Sequence, residues 1–338
     1  IWEGLLAGRS GIRRITSLDP AGFRARFASE VPDFAGARDY VPKSYRKAVK
    51  VMARDTEFAV AAARLAVEDA RISTRGTLAE GSTDATTYPS PRMGCQIGAG
   101  LIATESNELT SALVTAQTTP GQVDMRAWGN AEGGAGAMNN LPPLWLLKYL
   151  PNMPACHVTI IHGTEGPSNT ITCAEASGLL SVGESVRVIR RNDADLCFSG
   201  GAESPLNHQR MIRMTMAGRL AQTGDEGDGA SFVRPYDPEA PGQLLGEGGG
   251  ILILEELSTA RARGAAPYAE IAGCGAAHSP ASRESWIDGG LNMDLDEGFQ
   301  FAMENALDDA GLTPSDIDAI LPHASGIPAM DKGEVAVR

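Results

Sequence analysis

The chain has 338 residues, 43% of them hydrophobic and 21% charged, an ordinary globular composition with ample material for a core. Its formal net charge of −13 comes without a basic stripe, so nucleic acid is not expected as a partner. No apolar run approaches the length of a membrane span, and the cysteines (Cys95, Cys156, Cys173, Cys197, Cys274) form no CxxC pair or Cys/His cluster, so a membrane and a metal are not expected and reduced, cytoplasmic usage is.

The chain opens at Ile1 inside a helical pattern and stops at Arg338 without a turn or tail, so both ends read as cut and a fragment is expected. Residues 1–15 predict a short helix closed by Gly8, then a loop. Residues 53–71 are Ala-rich with helical periodicity and predict a buried helix. Residues 73–92, rich in Ser, Thr, Gly and Pro, predict a surface loop. Residues 93–100 (MGCQIGAG) predict a buried strand running into glycines. Their GAG lacks the spacing and the acidic partner of a dinucleotide loop, which leaves a close strand–helix contact. Residues 115–140 predict a second irregular stretch. Residues 141–163 are strongly apolar and fit either a buried helix or an interface segment, with His157 and His162 expected to be structural.

Residues 166–178 (GPSNTITCAEASG) organise the chain. Small and β-branched residues lead into a tight turn, and Leu179, Val182, Val186 and Ile189 follow with the spacing of one helical face. Strand, tight turn and helix make the geometry of a nucleophile elbow. Free N–H groups and the dipole at such a helix start favour negative charge. The residue at the turn is expected to carry the chemistry, and the pattern leaves Cys173 and Glu175 both open.

Beyond the elbow, residues 195–201 predict a short buried strand, and 208–223 a short helix with a loop. Gly246 and Gly248 to Gly250 predict a tight turn with close backbone approach, leading into a buried strand over 251–256. A short helix over 258–263, a strand over 268–276 and a loop over 279–292 come next. Residues 295–310 predict a helix with Phe299, Met303, Ala306 and Leu307 on its apolar side, capped by Asp294 or Asp296 and stopped by Gly311. Strands alternating with helices make the class α/β.

Together these stretches resemble the β-ketoacyl synthase family. IWEGLLAGRSGI is similar to its opening helix, and LPNMPACHVTIIHGTEGPSNT to the buried segment ahead of its elbow. DADLCFSGGAE, RPYDPEAPGQLLGEGGGILILEEL and the His323 stretch follow in the family's order. The resemblance implies a thiolase-like α/β fold of two similar α/β/α/β/α halves. The N-terminal half would span 1–256 without its first strand, and a truncated C-terminal half would begin at 257 and run to 338.

In that family the elbow reads Thr-Ala-Cys-Ala-Ser-Gly, and its Cys accepts the acyl group. Placed without a gap from Gly166-Pro167 to Ser177-Gly178, the Cys position falls on Glu175 and the Thr on Cys173. His323, with Pro328, Asp331, Lys332 and Glu334 after it, matches the family's first catalytic histidine motif. Ser325 keeps the hydroxyl of a pantetheine-contacting Thr, whereas Ile327 and Ala324 depart from the pattern. The second histidine and the gate loop would lie beyond Arg338.

The resemblance further implies a substrate carried on the phosphopantetheine of an acyl carrier protein, no resident cofactor, and a homo- or heterodimer with a ketosynthase subunit. A condensing enzyme needs a thiolate at the turn, and a carboxylate there cannot serve as the acyl carrier. The leading expectation is therefore a non-condensing, chain-length-factor-like partner of fatty acid or polyketide synthesis. The alternatives are a malonyl-carrier decarboxylase using His323 and an active 3-oxoacyl synthase using Cys173.

Overall fold

The computed structural model describes residues 2–129, 136–225, 227–278 and 297–337. In chain order the first elements are α1 (Trp2–Leu6), β1 (Ile12–Arg14), β2 (Phe27–Ser29), α2 (Arg54–Asp69) and β3 (Met93–Gly98). Then come α3 (Ser106–Thr115), β4 (Gln117–Thr119), β5 (Gln122–Val123), α4 (Met125–Trp128), α5 (Trp145–Lys148) and α6 (Met153–His162). The elbow region supplies β6 (Ser168–Ile171), α7 (Ser177–Arg190), β7 (Leu196–Glu203) and α8 (His208–Met216). The rest is β8 (Gly248–Glu255), α9 (Leu257–Ala262), α10 (Glu297–Ala310) and α11 (Pro328–Val335).

β3 is buried along its whole length and has two unlike faces, because Met93, Cys95 and Ile97 alternate with Gly94, Gln96 and Gly98. β6 and β7 pair with it in parallel on its two sides, and β8 joins β7 antiparallel, giving the order β6-β3-β7-β8. The larger face, with Leu196 and Phe198 of β7, packs on Val60, Ala63 and Val67 of α2 and on Ala155, Val158 and Ile161 of α6. Each large side chain buried there contributes about 1.5–3 kcal/mol.

The small face receives α7. A Cβ on Gly98 would run into the backbone of Ser177 and Gly178, so the glycine lets the start of α7 rest on the strand end. Ser181 fixes the approach, its Oγ accepting the Gly200 N–H at 3.0 Å and lying 2.8 Å from the Gly200 carbonyl. The GAG run is thus the strand–helix contact expected of it. Of the residues spaced for one helical face, Val182, Val186 and Ile189 are half-buried and Leu179 is 81% exposed, while α7 buries Ser177, Ser181, Gly183, Ser185 and Val188. A sheet face built of glycine and serine accepts a helix through small side chains, not through leucine.

Other expectations also change. β8 is an edge strand with only Ile251 buried and Leu252 53% exposed, and Gly248 to Gly250 lie within it rather than in a turn. Residues 268–276 form no strand, because Gly273 and Gly275 lie against the backbone of α10 at Ala306 and Ala302 and have no strand beside them among the described residues. The stretch 73–92 is not wholly surface, since Thr74 and Tyr88 are buried. Residues 115–140 contain the β4–β5 hairpin and α4, with 130–135 outside the described residues. The apolar run 141–163 divides: α6 is packed in the core, and Leu144 just before α5 and Leu146 within it are exposed. His157 and His162 are buried as structural groups, Nδ1 of each 2.8 Å from Tyr45 Oη and Thr74 Oγ1 respectively. The loop expected over 279–292 and the caps Asp294 and Asp296 lie outside the described residues. Gly311 does stop α10, at φ 66°.

Candidate functional site

The parallel strands β6, β3 and β7 end at one edge, which is where open α/β sheets place their ligands. Just past β6, Cys173 bends out of the strand (φ −137°, ψ 47°) and Ala174 takes φ 47°. A positive φ is unfavourable for alanine and marks a turn held from outside. Ser177 holds it: its Oγ accepts the Cys173 N–H at 2.8 Å and donates to the Ala174 carbonyl at 2.7 Å. The 3-10 turn Ala174–Ala176 then runs straight into α7. The elbow therefore forms as expected, with Glu175 at its apex and Cys173, also exposed, at its base.

Glu175 does not stand alone. The Arg219 guanidinium forms an ion pair and hydrogen bond with its carboxylate. Gly218, at φ 68°, ends the run out of α8 and turns the chain so that Arg219 reaches back to the elbow. Arg219 also donates to Gln243 Oε1 at 3.3 Å. Burial raises the Glu175 carboxyl, but the Arg219 charge, the turn's own backbone N–H and the His323 charge outweigh it and hold the pKa below the ordinary value. The apex is consequently an ionised, half-exposed carboxylate.

His323 comes from the opposite end of the chain and lies within electrostatic reach of Glu175. Its loop is held by two carboxylates of α11. Glu334 accepts the His323 N–H at 2.7 Å and the Ala324 N–H at 3.0 Å. Asp331 accepts from Ser325 Oγ at 2.7 Å and from the Gly326 N–H at 3.1 Å. Both carboxylates also anchor Tyr236, which gives its N–H to Asp331 at 2.9 Å and its hydroxyl to Glu334 at 2.9 Å. Asp331 and Glu334, 2% and 3% exposed, thus position the His323 loop from beneath. The Ser325 hydroxyl is engaged in that clamp and accepts the Ile327 N–H at 3.1 Å.

The structure gathers Cys173, Glu175 and the His323 loop toward one site. Reading the sequence alone missed Arg219 and Tyr236. Only Gly218 beside Arg219 hinted at a turn, and no spacing connects residues so far apart with Glu175. A cavity of about 630 Å³ lies elsewhere, lined among others by Glu30, Arg54, Asp55 and Glu247, and none of Cys173, Glu175, His323 and Ser325 borders it. Among the described residues no group of His, Cys, Asp and Glu is placed to hold a metal ion, and no helix is long and apolar enough to cross a membrane.

Comparison with known proteins identifies the family. The family model described as Beta-ketoacyl synthase, N-terminal domain, matches residues 1–260, and that described as Beta-ketoacyl synthase, C-terminal domain, matches residues 268–337. A 3-oxoacyl-[acyl-carrier-protein] synthase 2 of Staphylococcus aureus (strain N315) is 30% identical over 334 residues, which cover 99% of this chain and 70% of the relative. The protein of the same name from Coxiella burnetii is 31% identical over 332 residues, covering 98% of this chain and 70% of its own. Among solved structures, the ishigamide ketosynthase/chain length factor superposes with TM-score 0.73 at 29% identity, covering 99% of this chain and 71% of that one. A β-ketoacyl synthase from Burkholderia phymatum STM815 superposes with TM-score 0.75 at 26% identity, over the same shares of 99% and 71%. The thiolase-like ketosynthase fold is thereby established, and the chain belongs to the β-ketoacyl synthase family of fatty acid and polyketide synthesis.

Proposed function

We propose that this chain is a ketosynthase-like partner that does not itself condense, acting as a chain-length factor beside a Cys-bearing ketosynthase. The observation that carries the reading is the Glu175–Arg219 ion pair at the elbow apex. Acyl transfer needs a nucleophile that leaves again as readily as a thiolate. An ionised carboxylate tied to a guanidinium is neither a good nucleophile nor a carrier, since the mixed anhydride it would form hydrolyses. The pair instead keeps the turn in shape. The likeness to a ketosynthase/chain length factor structure supports this reading. In this role the chain binds acyl groups presented on the phosphopantetheine of an acyl carrier protein, holds no cofactor of its own, and works as one half of a dimer.

The test is co-purification with a Cys-bearing ketosynthase, followed by mass spectrometry after incubation with acyl-carrier protein and with cerulenin. A heterodimer with acyl label on the partner subunit and none on this chain is expected. Separate homodimers, or acylation of Cys173 lost on Cys173→Ser, would overturn the reading.

One observation favours malonyl-carrier decarboxylation as a second reading. Arg219 neutralises Glu175 and so removes the repulsion that a bare carboxylate at the apex would exert on a malonyl group. His323 lies in the same field. Decarboxylation by the isolated chain that is lost on His323→Ala would establish that activity.

A further inference from the structure

α8 carries Arg210 and Arg213 about one helical turn apart, beside the edge where β7 ends. Glu203, the last residue of β7, is the acceptor for Arg210, with Nη2 and Oε1 3.0 Å apart. The Glu203 carboxylate lies over Gly100, where any Cβ would collide with it, so the glycine run after β3 also makes room for this group. That carboxylate is paired with Arg210, and Arg213 feels only its charge. Arg213 Nε and Nη2, and Arg210 Nε, are shielded from solvent and have no acceptor among the described residues. Asp55, close enough for Arg210 to affect its charge, accepts the Ser204 N–H at 3.0 Å and is not the partner of these donors.

Leaving buried donors without acceptors is unfavourable, and such groups in a native fold call for an explanation. Burial and the neighbouring Arg210 charge also hold Arg213 below the usual guanidinium range. Nε and Nη2 form one edge of the guanidinium, the fork that grips a planar oxyanion through two parallel hydrogen bonds. We infer that Arg213, supported by Arg210, is an oxyanion-binding site at the C-terminal edge of the sheet, open to a carboxylate or a phosphate. Resting on the function proposed above, the oxyanion is either the terminal carboxylate of an acyl chain or the phosphodiester of the carrier arm. The site itself does not depend on that choice.

The test is ligand binding and thermal stability of the full chain with graded probes. Glutaryl-pantetheine supplies a carboxylate without a phosphate, pentanoyl-phosphopantetheine a phosphate without a carboxylate, and pentanoyl-pantetheine neither. Inorganic phosphate supplies the oxyanion alone. One of the two charged thioesters is expected to bind roughly 10- to 100-fold more tightly than the neutral one, and Arg213→Met is expected to abolish that advantage. The ligand-free Arg213→Met protein is expected to melt no lower than wild type, since it loses two shielded donors that have no acceptor among the described residues. A purely structural arginine would melt lower on substitution. Arg213→Lys keeps the charge but loses the fork and gives the same comparison should the methionine variant fold poorly.

Equal binding of all three thioesters, or an advantage that persists in both variants, overturns the site while leaving the acyl-binding reading intact. Arg213-dependent stabilisation by inorganic phosphate with no thioester bound supports the site and removes the acyl-binding reading. No Arg213-dependent response to any probe overturns the site.

Discussion

The Arg219 guanidinium grips the Glu175 carboxylate and so ties the turn before α7 to the segment after α8. The consequence is a pH dependence. Burial raises the Glu175 carboxyl, but Arg219, the turn's own N–H and the His323 charge together outweigh it, so the folded-state pKa lies below the ordinary carboxylate value. A carboxylate with a depressed pKa adds stability above its unfolded value, and the gain is lost as pH falls through the folded value. Glu175 is more than a third exposed, so solvent screening keeps the pair's worth small. Arg219→Met is therefore expected to cost about 0.2–1 kcal/mol at pH 7, and the difference from wild type should be smaller at pH 3. Urea denaturation at both pH values checks this, and an equal loss at each would rule out the ion pair as the cause.

Glu334 is a heavier tie. It is 3% exposed and receives the His323 N–H, the Ala324 N–H and the Tyr236 hydroxyl. Glu334→Gln keeps the shape but puts an NH2 group where a donor already points. About 2–3 kcal/mol should be lost for leaving buried donors unmatched. Hydrogen exchange at residues 323 and 324 should quicken in the same variant. Normal protection there, with the stability lost all the same, would show that Glu334 does not hold the His323 loop.

Much of this was legible in the sequence because local pattern and fold agree. The strand–turn–helix at residues 166–178 reads correctly, since β-branched residues, a turn and a helical period are all local signals. The depth to which α7 is buried is not legible locally, because it is decided by the glycines of β3 and β7, which lie far away in the chain. Arg219 is invisible for the same reason: its partnership with Glu175 exists only once α7 and α8 are in place. Residues 268–276 read as a strand, yet a strand needs a neighbour to pair with, and they lie along α10 instead.

Gly98 tests the idea that the small sheet face sets the elbow. A methyl group there meets the backbone of Ser177 and Gly178, and backbone does not swing aside as a side-chain end would. Gly98→Ala should cost about 1–3 kcal/mol from overpacking, and the damage should concentrate at the start of α7. Faster proteolysis within 172–178 than elsewhere is the expected sign. Uniform destabilisation with an unchanged cleavage pattern would refute the link between this contact and the turn.

Asp55 offers the clearest pH signature away from the elbow. It is buried, and that burial raises its pKa from 3.8 to about 6. The Ser204 N–H and Arg210 pull the other way, and the Glu203 charge adds to the rise. The folded state therefore holds this proton more tightly than the unfolded chain does. The resulting stability is fully present below pH 3.8 and is lost as pH rises through about 6. A shift of roughly two units corresponds to about 3 kcal/mol. Asp55→Asn keeps a carbonyl oxygen for the Ser204 N–H and has no proton to lose. Relative to wild type it should gain stability steadily from pH 4 to pH 7, by up to about 3 kcal/mol. Denaturant melts of both proteins across that range measure the difference directly, and because the remaining titrating groups are shared, they largely cancel. A constant difference would mean that Asp55 ionises in the fold as readily as in the unfolded chain, and that the polar groups around it compensate fully for its burial.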